Sequence, residues 1–138
     1  MYEFEFKQLD QIQTEEELAK IGETPETLLE MALVGVVDTT IYIKVYGAEG
    51  PVPHFHFYET QSGRRGCIKI LEASYFAHGK NLDDLKRDEN LELVDWLKEW
   101  NDDFDKTNWE AICRLWNMNN PLYKLKDVNQ SIPDYMRL

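Results

Sequence analysis

Cysteine is scarce: the chain has only Cys67 and Cys113, 46 positions apart, and neither stands in a C-x-x-C arrangement. That excludes a disulfide scaffold and the usual zinc-knuckle and thioredoxin-like spacings, and it predicts two buried free thiols. Long apolar runs are missing as well. None approaches the roughly 20 residues a membrane-spanning helix needs, and the N-terminal MYEFEFKQLD lacks the basic-then-apolar order of a secretory signal. No membrane association and a cytoplasmic location are therefore expected. Positive charge is short, with 15 Lys and Arg against 26 Asp and Glu and a formal net charge of −11. A field of that sign repels phosphate backbones and anionic lipid heads and attracts basic surfaces, which argues against direct nucleic-acid binding. Also missing are a P-loop, a G-x-S-x-G elbow and a dinucleotide fingerprint, while Gly47-Ala48-Glu49-Gly50 is too short and acidic to cradle a phosphate. Repeats and low-complexity tracts are absent.

What is present suffices for one folded domain. The 138 residues are 43% apolar and include four Trp, seven Tyr and six Phe, enough for a core in a chain of ordinary single-domain length. The acids are segregated. Residues 1–30 carry nine acids against two bases and residues 83–110 carry eleven against four, so each block is net −7.

Hydrophobic periodicity predicts an α+β fold, a small antiparallel β-meander packed against amphipathic helices. Tyr2, Phe4 and Phe6 alternate with charged residues as a short first strand. Thr14 with Glu17, then Thr24-Pro25, open two helices that form an N-terminal helical addition over about residues 14–34, running through Leu28, Leu29, Ala32 and Leu33. The sheet is expected over about 36–77. Ile41, Ile43 and Val45 alternate with Tyr42, Lys44 and Tyr46, a second strand begins at His54 after Pro51 and Pro53, and Cys67 to Leu71 returns as its partner. C-terminal helices follow over about 88–119. Leu93, Val94, Leu97, Trp100 and Phe104 form one apolar stripe, and Thr107 with Glu110 caps a second helix carrying Trp109, Ile112, Cys113 and Trp116. Asn119-Asn120-Pro121 stops it, and the tail reads as extended.

The most distinctive chemistry lies at His54 and His56. Alternate strand residues point to one face, so the two imidazoles stand side by side with Cβ atoms about 6–7 Å apart, close enough to chelate one ion. A metal site needs a third ligand, for which His78 is the remaining histidine, with Asp38, Glu59, Glu72 and Cys67 as further candidates. Zinc or another transition metal is the cofactor such a set would take. The plainer alternative is a half-exposed histidine pair kept for packing. The Gly, His-x-His, Glu, Gly spacing of the cupin metal signature is not met, since only two residues separate His56 from Glu59. A Cys67–His dyad is not specified by any spacing. Asp83-Asp84 and Asp102-Asp103 read as helix-end or solvated charges, and Arg64-Arg65 reads as a hairpin-tip pair that guards a sheet edge or anchors an acidic or phosphate group.

The segment PVPHFHFYETQSGRRGCIKI, residues 51–70, followed by WLKEW and NWEAICRLWN, resembles a family of small prokaryotic and phage proteins. That family is marked by a Pro-Pro-His-Phe-His strand within a compact meander plus helices; here Val52 stands between the prolines. The likeness covers about residues 39–121. It has no established activity, but its members lie near toxin–antitoxin and other mobile-element genes.

Two functions are expected from these features. The first is a non-enzymatic acidic regulator or inhibitor, antitoxin-like or a phage counter-defence mimic of nucleic acid. Its contact face would be Asp88, Glu92, Asp95, Glu99, Asp102 and Asp103, and its partner a basic protein surface such as that of a nucleic-acid-binding protein. The second is a small metal-binding protein or metalloenzyme built on His54 and His56.

Overall fold

A computed structural model describes residues 31–71 and 83–126. Four antiparallel strands run in chain order, β1 (Met31–Val37), β2 (Ile41–Tyr46), β3 (His54–Glu59) and β4 (Arg65–Lys69), as a simple meander. Helix α1 (Arg87–Leu97) follows, then a two-stranded ribbon of β5 (Trp100–Asn101) and β6 (Lys106–Thr107). Helix α2 (Asn108–Asn119) and a 3₁₀ turn over Pro121–Tyr123 complete the described chain. The α+β class and the meander expected from periodicity are both present. Among the described residues no helix is long and apolar enough to cross a membrane.

The register assigns the two faces of the sheet. His56 lies opposite Lys44 on β2 and Cys67 on β4, His54 opposite Lys69, and Tyr58 between Tyr42 and Arg65. Directly paired residues project to the same side, so the histidines share a face with Cys67. The other face carries Ile41, Ile43, Val45, Phe55, Phe57 and Ile68, which join Leu93, Leu97, Trp109, Ile112, Leu115 and Trp116 of the helices in one buried core. Gly35 allows α1 to come close. A Cβ there would meet the Trp96 ring at 2.7 Å, and the β1–β2 register shifts between Leu33 and Gly35.

Two expectations are corrected. Ala32 and Leu33, predicted as the end of a helix, lie in β1, so the meander has four strands and starts before residue 36. The run MALVGVV is apolar almost throughout, and periodicity cannot separate a buried strand from a helix in such a run; pairing with β2 decides. The expected strand at Tyr2 to Phe6, the rest of the N-terminal helical pair, Glu72, His78 and the tail beyond residue 126 lie outside the described residues.

The second correction concerns Trp100 and Phe104, which do not continue the stripe of α1. The helix ends at Leu97, with the Lys98 N–H donating to the Asp95 carbonyl at 3.2 Å. Turn chemistry overrides the stripe. The Asn101 carboxamide oxygen accepts from the backbone N–H of Asp103 at 3.1 Å and of Phe104 at 3.3 Å. Its amide nitrogen donates to the Val34 carbonyl and to the Asn108 side chain. Trp100 is consequently exposed, at 59% of its surface. The Thr107 cap forms as expected, its hydroxyl accepting from the Glu110 N–H at 3.2 Å.

Candidate metal centre

His54 and His56 were expected to be half-exposed if they only packed; they are buried, at 1% and 5% of their surface. Burying a ring that carries two nitrogens requires partners for both. His54 Nδ1 lies 2.7 Å from the Val52 carbonyl oxygen. A carbonyl only accepts, so Nδ1 carries the hydrogen, and in the neutral form of the ring the lone pair lies on Nε2. This is the arrangement that fixes tautomer and orientation in histidines that ligate metals.

That lone pair points into a cluster. His54 Nε2 is 3.1 Å from His56 Nε2 and 3.3 Å from Glu49 Oε1, and His56 Nε2 is 2.5 Å from the same Glu49 oxygen. Cys67 Sγ lies 3.9 Å from His56 Nε2 and 3.5 Å from His56 Nδ1. The potential donor atoms of His54, His56 and Cys67 all fall within 4.8 Å of one another. Tetrahedral zinc with bonds of about 2.0–2.1 Å to nitrogen and about 2.3 Å to sulfur separates its ligands by roughly 3.3 Å (N to N) and 3.6 Å (N to S). The Nε2–Nε2 spacing of 3.1 Å matches its edge to within a few tenths of an ångström, while Cys67 Sγ, 3.9 Å from His56 Nε2 and 3.5 Å from Nδ1, stands beside the ring and swings towards Nε2 to share an ion with it.

Cys67 does not read as a nucleophile paired with His56. A hydrogen bond in line with Nδ1 would leave Sγ much farther from Nε2 than from Nδ1, whereas the two distances differ by only 0.4 Å (3.9 against 3.5). The sulfur is also 1% exposed, and burial, with the Glu49 charge adding to it, pushes the thiol up to about 12. A thiol that is buried and fully protonated attacks nothing. A thiol of this kind still serves a metal site, because a bound cation displaces a thiol proton and takes the sulfur as thiolate.

Glu49 is the member that sequence reasoning missed. It sits in the loop between β2 and β3, where Ala48 adopts a positive φ of 57°. Three contacts from the end of α2 brace the loop. The Glu49 N–H donates to Asn120 Oδ1 at 2.8 Å, the Asn120 amide donates to the Tyr46 carbonyl at 3.0 Å, and the Tyr123 ring occupies the space where Gly50 has no Cβ. Burial alone would raise the Glu49 carboxyl, but its hydrogen bonds to His54 and His56 outweigh burial and hold it well below the usual carboxylate range. Gly-Ala-Glu-Gly reads in sequence only as a strand break. The available clue was a carboxylate in the tight loop that must return the chain to the first histidine.

The remaining predicted site residues are accounted for separately. Glu59 accepts from the Gln61 and Ser62 N–H groups and the Ser62 hydroxyl, so it closes the β3–β4 turn. Asp38 is in the β1–β2 turn, and His78 and Glu72 lie outside the described residues. Arg64 is committed to Glu59 and Glu89, and Arg65 lies over the Tyr58 ring at 4.5 Å. Asp88, Glu92, Asp95, Glu99, Asp102 and Asp103 are all exposed, on α1, just past its end and in the β5–β6 turn.

No protein-family model matches the chain, and no curated protein or solved structure matches it either.

Proposed function

We propose that this protein binds one transition-metal ion, zinc by the chemistry of its donors, through His54, His56 and Cys67. The supporting observation is the buried convergence of two imidazole nitrogens and a sulfur, with His54 pre-set in its ligating tautomer by the Val52 carbonyl. Mixed imidazole and thiolate donors favour zinc over magnesium or calcium, which take oxygen. A nucleophilic enzyme is less well supported, because the thiol is neither exposed nor aligned. The test is metal content after purification without chelators. One zinc per chain is expected in the native protein, and none in the His54→Ala, His56→Ala double variant. Metal-free native protein whose stability is indifferent to added zinc would remove the proposal.

A second role, the acidic regulator or inhibitor of a basic protein, is supported by one specific observation. Trp100 and Leu91 are 59% and 46% exposed on the segment that bears the six acids. An exposed tryptophan within a charged field is the composition of a protein-binding hot spot. An antitoxin-like or counter-defence partner, such as a nucleic-acid-binding protein, is the chemistry this field would attract. Recovery of a basic protein from nuclease-treated host extract, weakened both by high salt and by Trp100→Ala, is expected. Recovery that ignores both changes would contradict it.

A further inference from the structure

Resting on the metal-binding proposal, we infer that Glu49 is the fourth ligand and that its loop closes the coordination shell. The centre then holds its ion and leaves no position open for water or a substrate.

Glu49 Oε1 lies within 3.3 Å of both Nε2 atoms, about the separation of tetrahedral ligands, and stands outside the 4.8 Å group formed by His54, His56 and Cys67, so the carboxylate or the sulfur moves to complete the four. An ion between these atoms meets a carboxylate oxygen and two imidazole nitrogens already within 3.3 Å of one another. The 2.5 Å contact between Glu49 and His56 needs to open by under 1 Å to reach coordination spacing.

The loop delivers this carboxylate from a braced position. The Glu49 N–H is tied to Asn120, the Ala48 N–H donates to the Asn119 carbonyl at 3.4 Å, and Gly50 is backed by Tyr123. The Glu49 side chain is 12% exposed, against 1% for His54 and 6% for His56. Solvent on the loop side therefore meets the carboxylate before either ring. Structural zinc sites fill all four positions with protein ligands, whereas catalytic sites keep one open. Glu49 in the fourth position makes this a closed centre that ties the β2–β3 loop to β3 and β4.

Cobalt(II) in place of zinc tests this on the full chain. The native protein is expected to show a thiolate charge-transfer band and strong four-coordinate visible bands, none of which azide alters. Glu49→Ala is expected to shift the visible bands, make them azide-sensitive, and weaken cobalt binding beyond the roughly 10- to 100-fold that loss of an outer-shell partner costs. Glu49→Gln, which keeps the loop's hydrogen-bonding capacity, is expected to show the same spectral shift with the native circular dichroism. Visible bands unchanged in both variants, or azide-sensitive in the native protein, would overturn the closed shell while leaving metal binding standing. A native protein with no cobalt bands would overturn both.

Discussion

Arg64 illustrates how single residues hold this fold. Its guanidinium bonds Glu89 on α1 at 2.9 and 2.6 Å, Glu59 on β3 at 3.3 Å and the Asp84 carbonyl at 3.0 Å, so one side chain ties the β3–β4 turn to the helix. The Arg64 hydrogen bonds hold the Glu89 carboxyl below its usual range. For Glu59, burial would raise the carboxyl, but bonds from Ser62, Gln61 and Arg64 outweigh it and lower it. Both folded values are depressed, so the stabilisation is full above the ordinary carboxylate value of about 4.3 and is lost as pH falls through the lower folded values. Arg64→Ala should cost about 1–2 kcal/mol at pH 7, given partial exposure of the pair. In urea unfolding the deficit should shrink towards pH 3. A deficit of equal size at both pH values would show that the ion pairs are not its source. At this scale the histidine pair was legible because strand alternation is local. Cys67 was one candidate among several because only β3–β4 register places it beside His56. Glu49 was not legible, since its position depends on Asn120, 71 residues away.

The elements show where pairing and turns override pattern. The β1–β2 hairpin turns on Asp38 and Thr39, with φ of 48° and 59°, closed by the Thr40 N–H donating to the Val37 carbonyl at 3.1 Å. Two consecutive left-handed residues match a type I′ turn, which normally prefers Asn-Gly, and a β-branched residue is poorly suited to it. Thr39→Gly should therefore stabilise the protein by about 0.5–1 kcal/mol, relief of left-handed strain exceeding the added chain entropy. A thermal midpoint lower than the native one would contradict this. The strand pattern at Ile41, Ile43 and Val45 and the Thr107 cap could be read directly, because each rests on spacing within a few residues. The end of α1 could not, because the apolar spacing of Trp100 and Phe104 continues a helical stripe that the Asn101 turn interrupts.

At the scale of the whole molecule, the charge asymmetry and the buried cluster occupy different places. Asp88, Glu92, Asp95, Glu99, Asp102 and Asp103 are exposed on α1, just past its end and in the β5–β6 turn, while His54, His56 and Cys67 are buried on β3 and β4. The two proposed roles are thus separable, and substitutions at one site are expected to spare the other. Because the Cys67 thiol of the metal-free protein is pushed up to about 12, coordination must displace its proton, and apparent affinity must rise with pH. The most direct test of the central claim is a calorimetric zinc titration of the chelator-stripped chain at neutral pH, run in two buffers of different ionisation enthalpy. The account predicts one saturable site per chain with proton release that disappears, along with most of the affinity, in Cys67→Ser and is retained in Cys113→Ser. No saturable zinc uptake, or uptake indifferent to loss of Cys67 and of the two histidines, would contradict it.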